Sequence, residues 1–183
     1  MCVVSSTQTD GMGSRGNTWE STQDALLFSF AMPLSNLPKD LKIESASIYF
    51  MYILKELLAE KGSKCWFKWP NDIYIDDKKI AGVLTTLVKN EGVLVCGIGL
   101  NFFEQNEFGK CDIKTDKKSL LYEYLSVFTA PPEWKRIFIK FEVEFLKTRA
   151  NSPYNERIKY LENATLNSDG SLTIEDKKVF SLR

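Results

Sequence analysis

The sequence predicts an α+β fold: a mixed, mainly antiparallel sheet flanked by helices, closed by a short C-terminal β-meander. Three observations predict it. Apolar runs of strand length follow one another across turns at 76–78 and 90–92, which are too short for helical crossovers. The segment 40–60 carries its apolar residues at helical spacing. The tail from Ala164 alternates short β-prone runs with polar turns.

Taken in order, Cys2–Ser6 reads as a short strand, and a glycine-rich loop follows from Thr7 to about Thr18. Ala25–Ala31 is apolar throughout and of strand length, as expected of a buried strand. Pro33 and Pro38 bracket a loop. From about Asp40 to Glu60, residues Ile43, Ala46, Phe50, Ile53, Leu54, Leu57 and Leu58 recur at helical spacing, and Gly62 is placed to end the helix. Most faces of that helix are apolar, so it should be deeply packed. Cys65–Trp69 is a strand stopped by Pro70. Ile73–Ile75 and Lys79–Leu84 form a hairpin that continues to Val88, and Val93–Leu100 is the next strand. Ser119–Ser126 and Pro132–Ala150 read as helices, the second amphipathic. A linker is expected near Asn151–Pro153, dividing the chain into 1–150 and an abbreviated β segment, 151–183.

Composition excludes several classes. The 183 residues are 44% apolar with zero formal charge, so no broad field draws the chain to nucleic acid or a membrane. The longest apolar stretch, near 46–54, is too short to span a bilayer, and the first residues lack a secretion signal. The four cysteines are scattered without a C-x-x-C pair, which suits a reducing cytoplasm. There is no histidine, which removes imidazole acid–base chemistry, Ser-His-Asp and Cys-His nucleophiles and H-E-x-x-H zinc sites. Any catalysis must rest on Lys, Arg, carboxylates, backbone amides or a bound metal.

Three clusters stand out. Gly11–Gly16 matches G-x-G-x-x-G, but a dinucleotide loop must open a helix, and here a strand follows Trp19. The glycines can still turn successive amides into one concavity for an anion, with Arg15 as a fixed cation. A flexible surface turn would use them equally well. In Lys68-Trp69-Pro70-Asn71-Asp72, Pro70 stiffens the chain after a strand and leaves Asn71 and Asp72 at a sharp bend. Alternation puts Lys79, Ala81 and Val83 on one face, where the lysine either snorkels from an edge or stabilises phosphate charge in a partly dry site. In Gly97-Ile-Gly99-Leu-Asn101, small residues at i and i+2 either pack strands closely or leave a floor for a flat ligand.

In this order and at these separations, Gln8…Gly11-Met-Gly13-Ser-Arg15-Gly16-Asn-Thr-Trp19, Lys68-Trp-Pro-Asn-Asp72 with Lys79-Ile-Ala-Gly82, and Gly97-Ile-Gly-Leu-Asn101 resemble the biotin protein ligase family. The resemblance runs from about residue 2 to 101. It implies the class II aminoacyl-tRNA synthetase/biotin ligase-like arrangement, with 1–150 as a biotin- and ATP-binding catalytic domain. It also implies a two-step reaction. Biotin is activated by ATP, with Mg²⁺, to biotinyl-5′-AMP. The biotinyl group then passes to a lysine of an acceptor, usually the biotin carboxyl carrier protein of acetyl-CoA carboxylase. By the match, Lys79, Arg15 and Lys68 are the catalytic cations. Gln8, Gly11, Met12, Gly13, Ser14, Lys79, Gly82, Gly97 and Gly99 bind biotin. Ser14, Arg15, Trp19, Asn71, Asp72 and Asn101 serve ATP, with Trp19 covering the adenine side. Dimerisation through the sheet edge is common in the family, which leaves monomer and homodimer open.

The chain departs from the family pattern in three places. Most members carry Arg directly after the second glycine of the loop, where this chain has Ser14. Either Arg15 swings in, or the adenylate is held less tightly and leaks. In the second case a gel should show biotin on bystander proteins, and labelling of the acceptor alone would exclude it. The family's opening strand and helix, with a Ser-Thr-Asn-like turn touching biotin, are expected to be missing before the glycine loop. A helix-turn-helix before the core is not expected, and operator binding is therefore not expected either. Two rival readings are a lipoate–protein ligase, whose double-arginine motif and histidine the chain lacks, and a non-catalytic relic kept as a binding protein.

Overall fold

The fold is that of a computed structural model, which describes residues 1–13, 18–19, 22–151, 161 and 163–181. Its strands are β1 (Cys2–Ser5), β2 (Ala25–Pro33), β3 (Trp66–Lys68), β4 (Asp72–Ile75), β5 (Lys78–Val88) and β6 (Val93–Asn101). They form a six-stranded sheet in the order β1-β2-β6-β5-β4-β3, and each neighbouring pair is antiparallel. The helices are α1 (Ala46–Glu60), α2 (Lys117–Ser126) and α3 (Trp134–Asn151). A second sheet, β7 (Thr165–Leu166), β8 (Leu172–Ile174) and β9 (Lys177–Val179), is the predicted meander.

One face of the large sheet meets the helices. Phe28, Phe30, Ala81, Val83, Cys96 and Ile98 pack there against α1, whose Tyr49, Phe50 and Met51 are wholly buried. Phe30 meets Phe50 edge-on at 5.3 Å between ring centres, and Tyr124 of α2 donates its hydroxyl proton to the Phe50 carbonyl at 3.1 Å. A helix held between sheet and helices has little use for a polar face, which is why α1 is apolar nearly all round.

Two boundaries move from the sequence expectation. The first helix begins at Ala46 rather than near Asp40. Asp40 serves elsewhere: its carboxylate accepts the backbone N–H groups of Trp134 and Lys135 at 3.0 and 2.9 Å, satisfying the free donors that open α3. The helix expected from Ser119 starts at Lys117, because Asp116 caps it by accepting from the Ser119 N–H at 2.8 Å. The segment 152–160, which holds most of the expected linker, lies outside the described residues. The tail beyond it joins the main core through Leu161, Ala164 and Leu172.

The expected sharing of one face by Lys79, Ala81 and Val83 does not hold. Tyr74 pairs with Lys79 but Ile73 pairs with Ala81, so Ile80 is an extra residue, a β-bulge. The bulge breaks the alternation. Ala81 and Val83 turn into the core, and Lys79 joins the face of Gly82, where an added Cβ would stand 3.1 Å from the Lys79 Nζ.

Candidate active site

Register brings the three sequence clusters together. One row of partners crosses all six strands of the sheet: Ser5, Leu27, Gly99, Gly82, Asp72 and Lys68. The next row is Val3, Ser29, Gly97 and Leu84. Residues directly opposed in a sheet point to the same side. Both rows therefore lie on the face away from the helices, where a cavity of about 400 Å³ opens. That volume falls within the ~300–1,000 Å³ usual for small-molecule sites.

The glycine loop forms one wall. Its two ends are clamped together, with Met12 bridging Thr18 and the Trp19 N–H donating to the Gly11 carbonyl at 2.7 Å. Gln8, Met12, Gly13 and Trp19 line the cavity, as do Asn71, Lys79, Gly82, Gly97 and Gly99. Gly11 stands behind the wall, with the Trp19 carbonyl only 2.4 Å from where its Cβ would be. Ser14 and Arg15 lie outside the described residues.

Lys79 supplies the cavity's ammonium. Its Nζ is 2.7 Å from Asp72 Oδ1 and 5.1 Å from the centre of the Trp19 ring. The two charged side chains are 24% and 19% exposed, dry enough for a cation to act strongly on an incoming anion yet still reachable. Asn71 pins this arrangement: its Nδ2 donates to the Val83 carbonyl at 3.0 Å, and its own carbonyl accepts the Val83 N–H at 3.1 Å. The polar groups of the bend are thereby tied to β5. Lys68 shares the row at the sheet's far edge but does not line the cavity; its Nζ lies 3.3 Å from the Tyr74 hydroxyl and 4.7 Å from that ring's centre.

The floor differs from the sequence expectation of an open shelf. The space over Gly82 and Gly99 is filled by the Trp19 indole, whose Cζ2 would stand 2.4 Å from a Cβ on Gly99 and whose Cζ3 would stand 2.8 Å from one on Gly82. These two glycines seat a tryptophan. Over Gly97 the nearest side-chain atom to an added Cβ is Ser29 Oγ at 3.3 Å, so the free floor is there. Asn101 is wholly buried and does not line the cavity, yet neither its Oδ1 nor its Nδ2 has a partner among the described residues. Trp19 Nε1 is likewise unpartnered. Unpaired buried groups cost about 1–3 kcal/mol each and are rare away from functional sites.

Sequence reasoning missed Ser5, Asp10, Ser29 and Thr86, which also line the cavity. Only the pairing of β2 with β6 could have found Ser29, opposite Gly97. Thiol chemistry finds no support: burial pushes Cys65 up to about 11, and Cys96 and Cys111 are likewise raised by burial. Among the described residues no three His, Cys, Asp or Glu side chains gather as a metal site, and no helix is long and apolar enough to cross a membrane.

Comparisons with known proteins place the chain among relatives of one kind. The bifunctional ligase/repressor BirA of Salmonella typhimurium is 28% identical over 188 residues, covering 98% of this chain and 57% of BirA. The Escherichia coli BirA is also 28% identical, with 55% of its length covered, so the chain spans little more than half of these relatives. Among solved structures, a biotin acetyl coenzyme A carboxylase synthetase from Helicobacter pylori, with bound biotinylated ATP, is 37% identical. It matches 97% of this chain and 84% of that one, with a TM-score of 0.85. The Aquifex aeolicus biotin protein ligase in complex with biotin and ATP shares the fold, at 22% identity over 98% of this chain and 85% of that one, with a TM-score of 0.63. The family model for the biotin/lipoate A/B protein ligases matches residues 1–102, which hold the glycine loop, the Lys79–Asp72 pair and the Gly97–Asn101 strand end. The chain belongs to the biotin/lipoate A/B protein ligase family.

Proposed function

We propose that the chain joins biotin to ATP, releasing pyrophosphate, and passes the biotinyl group to a lysine of the biotin carboxyl carrier protein of acetyl-CoA carboxylase. In the first step a biotin carboxylate oxygen attacks the α-phosphorus, and the bond to the β-phosphate bridging oxygen breaks. In the second, the neutral amine of the acceptor lysine attacks the carbonyl of the mixed anhydride, and AMP leaves. Both steps gather negative charge at one phosphate and need no histidine.

The observation that carries the reading is the Lys79 ammonium, held inside the cavity by Asp72 beside the glycine loop. It binds the carboxylate and then the charge that builds on phosphorus. Asp72 orients it. Gln8, Met12 and Gly13, over the floor at Gly97, hold biotin, with Gly11 and Ser14 shaping the loop around it. The Trp19 indole, seated on Gly82 and Gly99, gives the adenylate an apolar surface. Arg15 and Lys68 add positive charge from the loop and the sheet edge, Asn71 fixes the bend, and Asn101, wholly buried off the cavity, serves the nucleotide only through its neighbours. Among the described residues Asp10 is the carboxylate that lines the cavity, and Asp72, beside it, is already paired with Lys79. That donor set suits Mg²⁺ arriving on ATP and held mainly by phosphate oxygens.

The test is pyrophosphate release from the purified chain with ATP and either biotin or lipoate, followed by a streptavidin blot of a carrier domain. Release that needs biotin and ATP together, with label on the carrier lysine, is the expected result. Release with lipoate alone, or none with either acid, would overturn the reading.

A further inference from the structure

The C-terminal turn 167–171 lies far along the chain from the cavity, yet it holds the side chain next to the Lys79–Asp72 bend. Its successive carbonyls each accept a proton from a side chain of a different part of the fold. The Trp134 indole of α3 donates to the Ser168 carbonyl at 2.9 Å. The Ser45 hydroxyl, just before α1, donates to that of Asp169. The Trp69 indole donates to that of Gly170 at 2.8 Å. Carbonyls of a surface turn usually face water. These are turned inward, and Trp69 is 4% exposed.

The turn is itself stiff. Asn167 accepts from the Gly170 N–H at 2.8 Å and donates its own N–H to the Ser171 carbonyl at 2.9 Å. The Asp169 carboxylate accepts from the Ser171 hydroxyl at 2.6 Å and from the ammoniums of Lys42 and Lys178 at 2.8 and 2.5 Å. Gly170 has φ +80°, and a Cβ there would meet Ile48 Cδ1 at 2.9 Å and Trp134 Cη2 at 3.0 Å. The turn therefore sits against α1 and α3 in one way only.

From Trp69 the chain runs through Pro70 to Asn71, which is pinned to Val83, and to Asp72, which holds Lys79. Just before Trp69, the Phe67 N–H donates to Glu144 Oε1 at 2.7 Å. The bend is thus anchored by α3 before it, by β5 after it, and by the turn at Trp69. We infer that the Gly170 carbonyl is a positioning group for the Lys79–Asp72 pair, reaching it through the Trp69 indole. This rests on the proposed role of Lys79. The C-terminal meander then does more than add core: it sets where the cavity's ammonium stands, and a misplacement of ~1 Å at such a group costs up to about a hundredfold in rate.

The experiment needs no biotin chemistry to be decisive. The intact chain is treated with limiting acetic anhydride, and Lys79 acetylation is followed by peptide mass spectrometry. Trp69→Phe removes the indole N–H and keeps an aromatic ring. Ser45→Ala loosens the turn more gently, in case the first variant folds poorly. Tyr124→Phe, which loses a buried hydroxyl donor in the helical layer, controls for stability alone. Lys79 acetylation should rise at least about threefold in Trp69→Phe, less in Ser45→Ala, and not in Tyr124→Phe, because only the first two free the bend to open locally. Where the unmutated chain releases pyrophosphate, Trp69→Phe should lower kcat/KM for biotin about tenfold or more, because Lys79 serves both the carboxylate and the transition state. Acetylation unchanged in both variants, or raised equally in Tyr124→Phe, overturns the inference whatever the turnover does. Absence of pyrophosphate release from the unmutated chain speaks against the proposed reaction alone.

Discussion

Gly99→Ala tests directly how the floor is built. The new Cβ would stand 2.4 Å from Trp19 Cζ2 and 2.7 Å from Cε2. Carbon atoms rest at about 3.5–4.0 Å, so the indole must retreat by more than ~1 Å. It cannot slide freely, because the Trp19 backbone N–H is bonded to the Gly11 carbonyl and the Trp19 carbonyl fills the space where a Cβ on Gly11 would stand. Overpacking of this kind costs about 1–3 kcal/mol. Gly97→Ala is the internal control: on the same strand, it meets nothing nearer than Ser29 Oγ at 3.3 Å, a hydroxyl able to give by a few tenths of an ångström. The clean measurement is a double-mutant cycle by urea unfolding over Gly99→Ala, Trp19→Ala and the pair. Without the indole the added methyl has nothing to strike, so the penalty of Gly99→Ala should vanish and the coupling should equal it, about 1–3 kcal/mol. Gly97→Ala paired with Trp19→Ala should add within about 0.5 kcal/mol. A Gly99 cycle that is also additive would refute the seat, and with it the placing of Trp19 over the floor.

Other expectations follow from the same contacts. Burial works to raise the Asp169 carboxyl, but hydrogen bonds from Lys178, Lys42 and Ser171 outweigh it and hold the group well below the usual carboxylate range. Its stabilising effect is therefore complete above the unfolded value of about 3.9 and is lost as pH falls further, through the folded value. Asp169→Asn should unfold about 1–2 kcal/mol more easily in urea at pH 7 and at pH 5, with the gap shrinking below about pH 4; a gap constant to pH 3 would contradict the ion pairs. Asp40→Ala should cost about 1 kcal/mol through the opening of α3, seen as faster amide exchange at Trp134 and Lys135, and unchanged exchange there would contradict the cap.

Much of the molecule was legible because its signals are local. Strands β4, β5 and β6 announce themselves by apolar runs and tight turns, and α1 by its spacing. Several residues that line the cavity, among them Gln8, Lys79 and Gly97, also stand out in the sequence. What the sequence hides is register. A row such as Leu27, Gly99, Gly82 and Asp72 exists only once β2 is paired with β6 across the intervening helix α1 and strands β3–β5. The bulge at Ile80 carries no local mark, and without it Lys79 is assigned to the wrong face. Asp40 reads as a helix start when taken with its neighbours alone, and becomes the cap of α3 only in three dimensions. The contact between Gly170 and Trp69 spans most of the chain, beyond any pattern of spacing.

The central claim is that the Lys79 ammonium, steadied by Asp72 within the cavity, takes up the negative charge of biotin activation. Single-turnover formation of biotinyl-5′-AMP on the purified chain, read by mass spectrometry for the unmutated protein and for Lys79→Gln of equal stability, tests it most directly. Removing one such charge-stabilising donor should slow adenylate formation by about 10²–10³-fold. A Lys79→Gln variant that forms the adenylate within about threefold of the unmutated rate, where a fall of that size is due, would contradict the account.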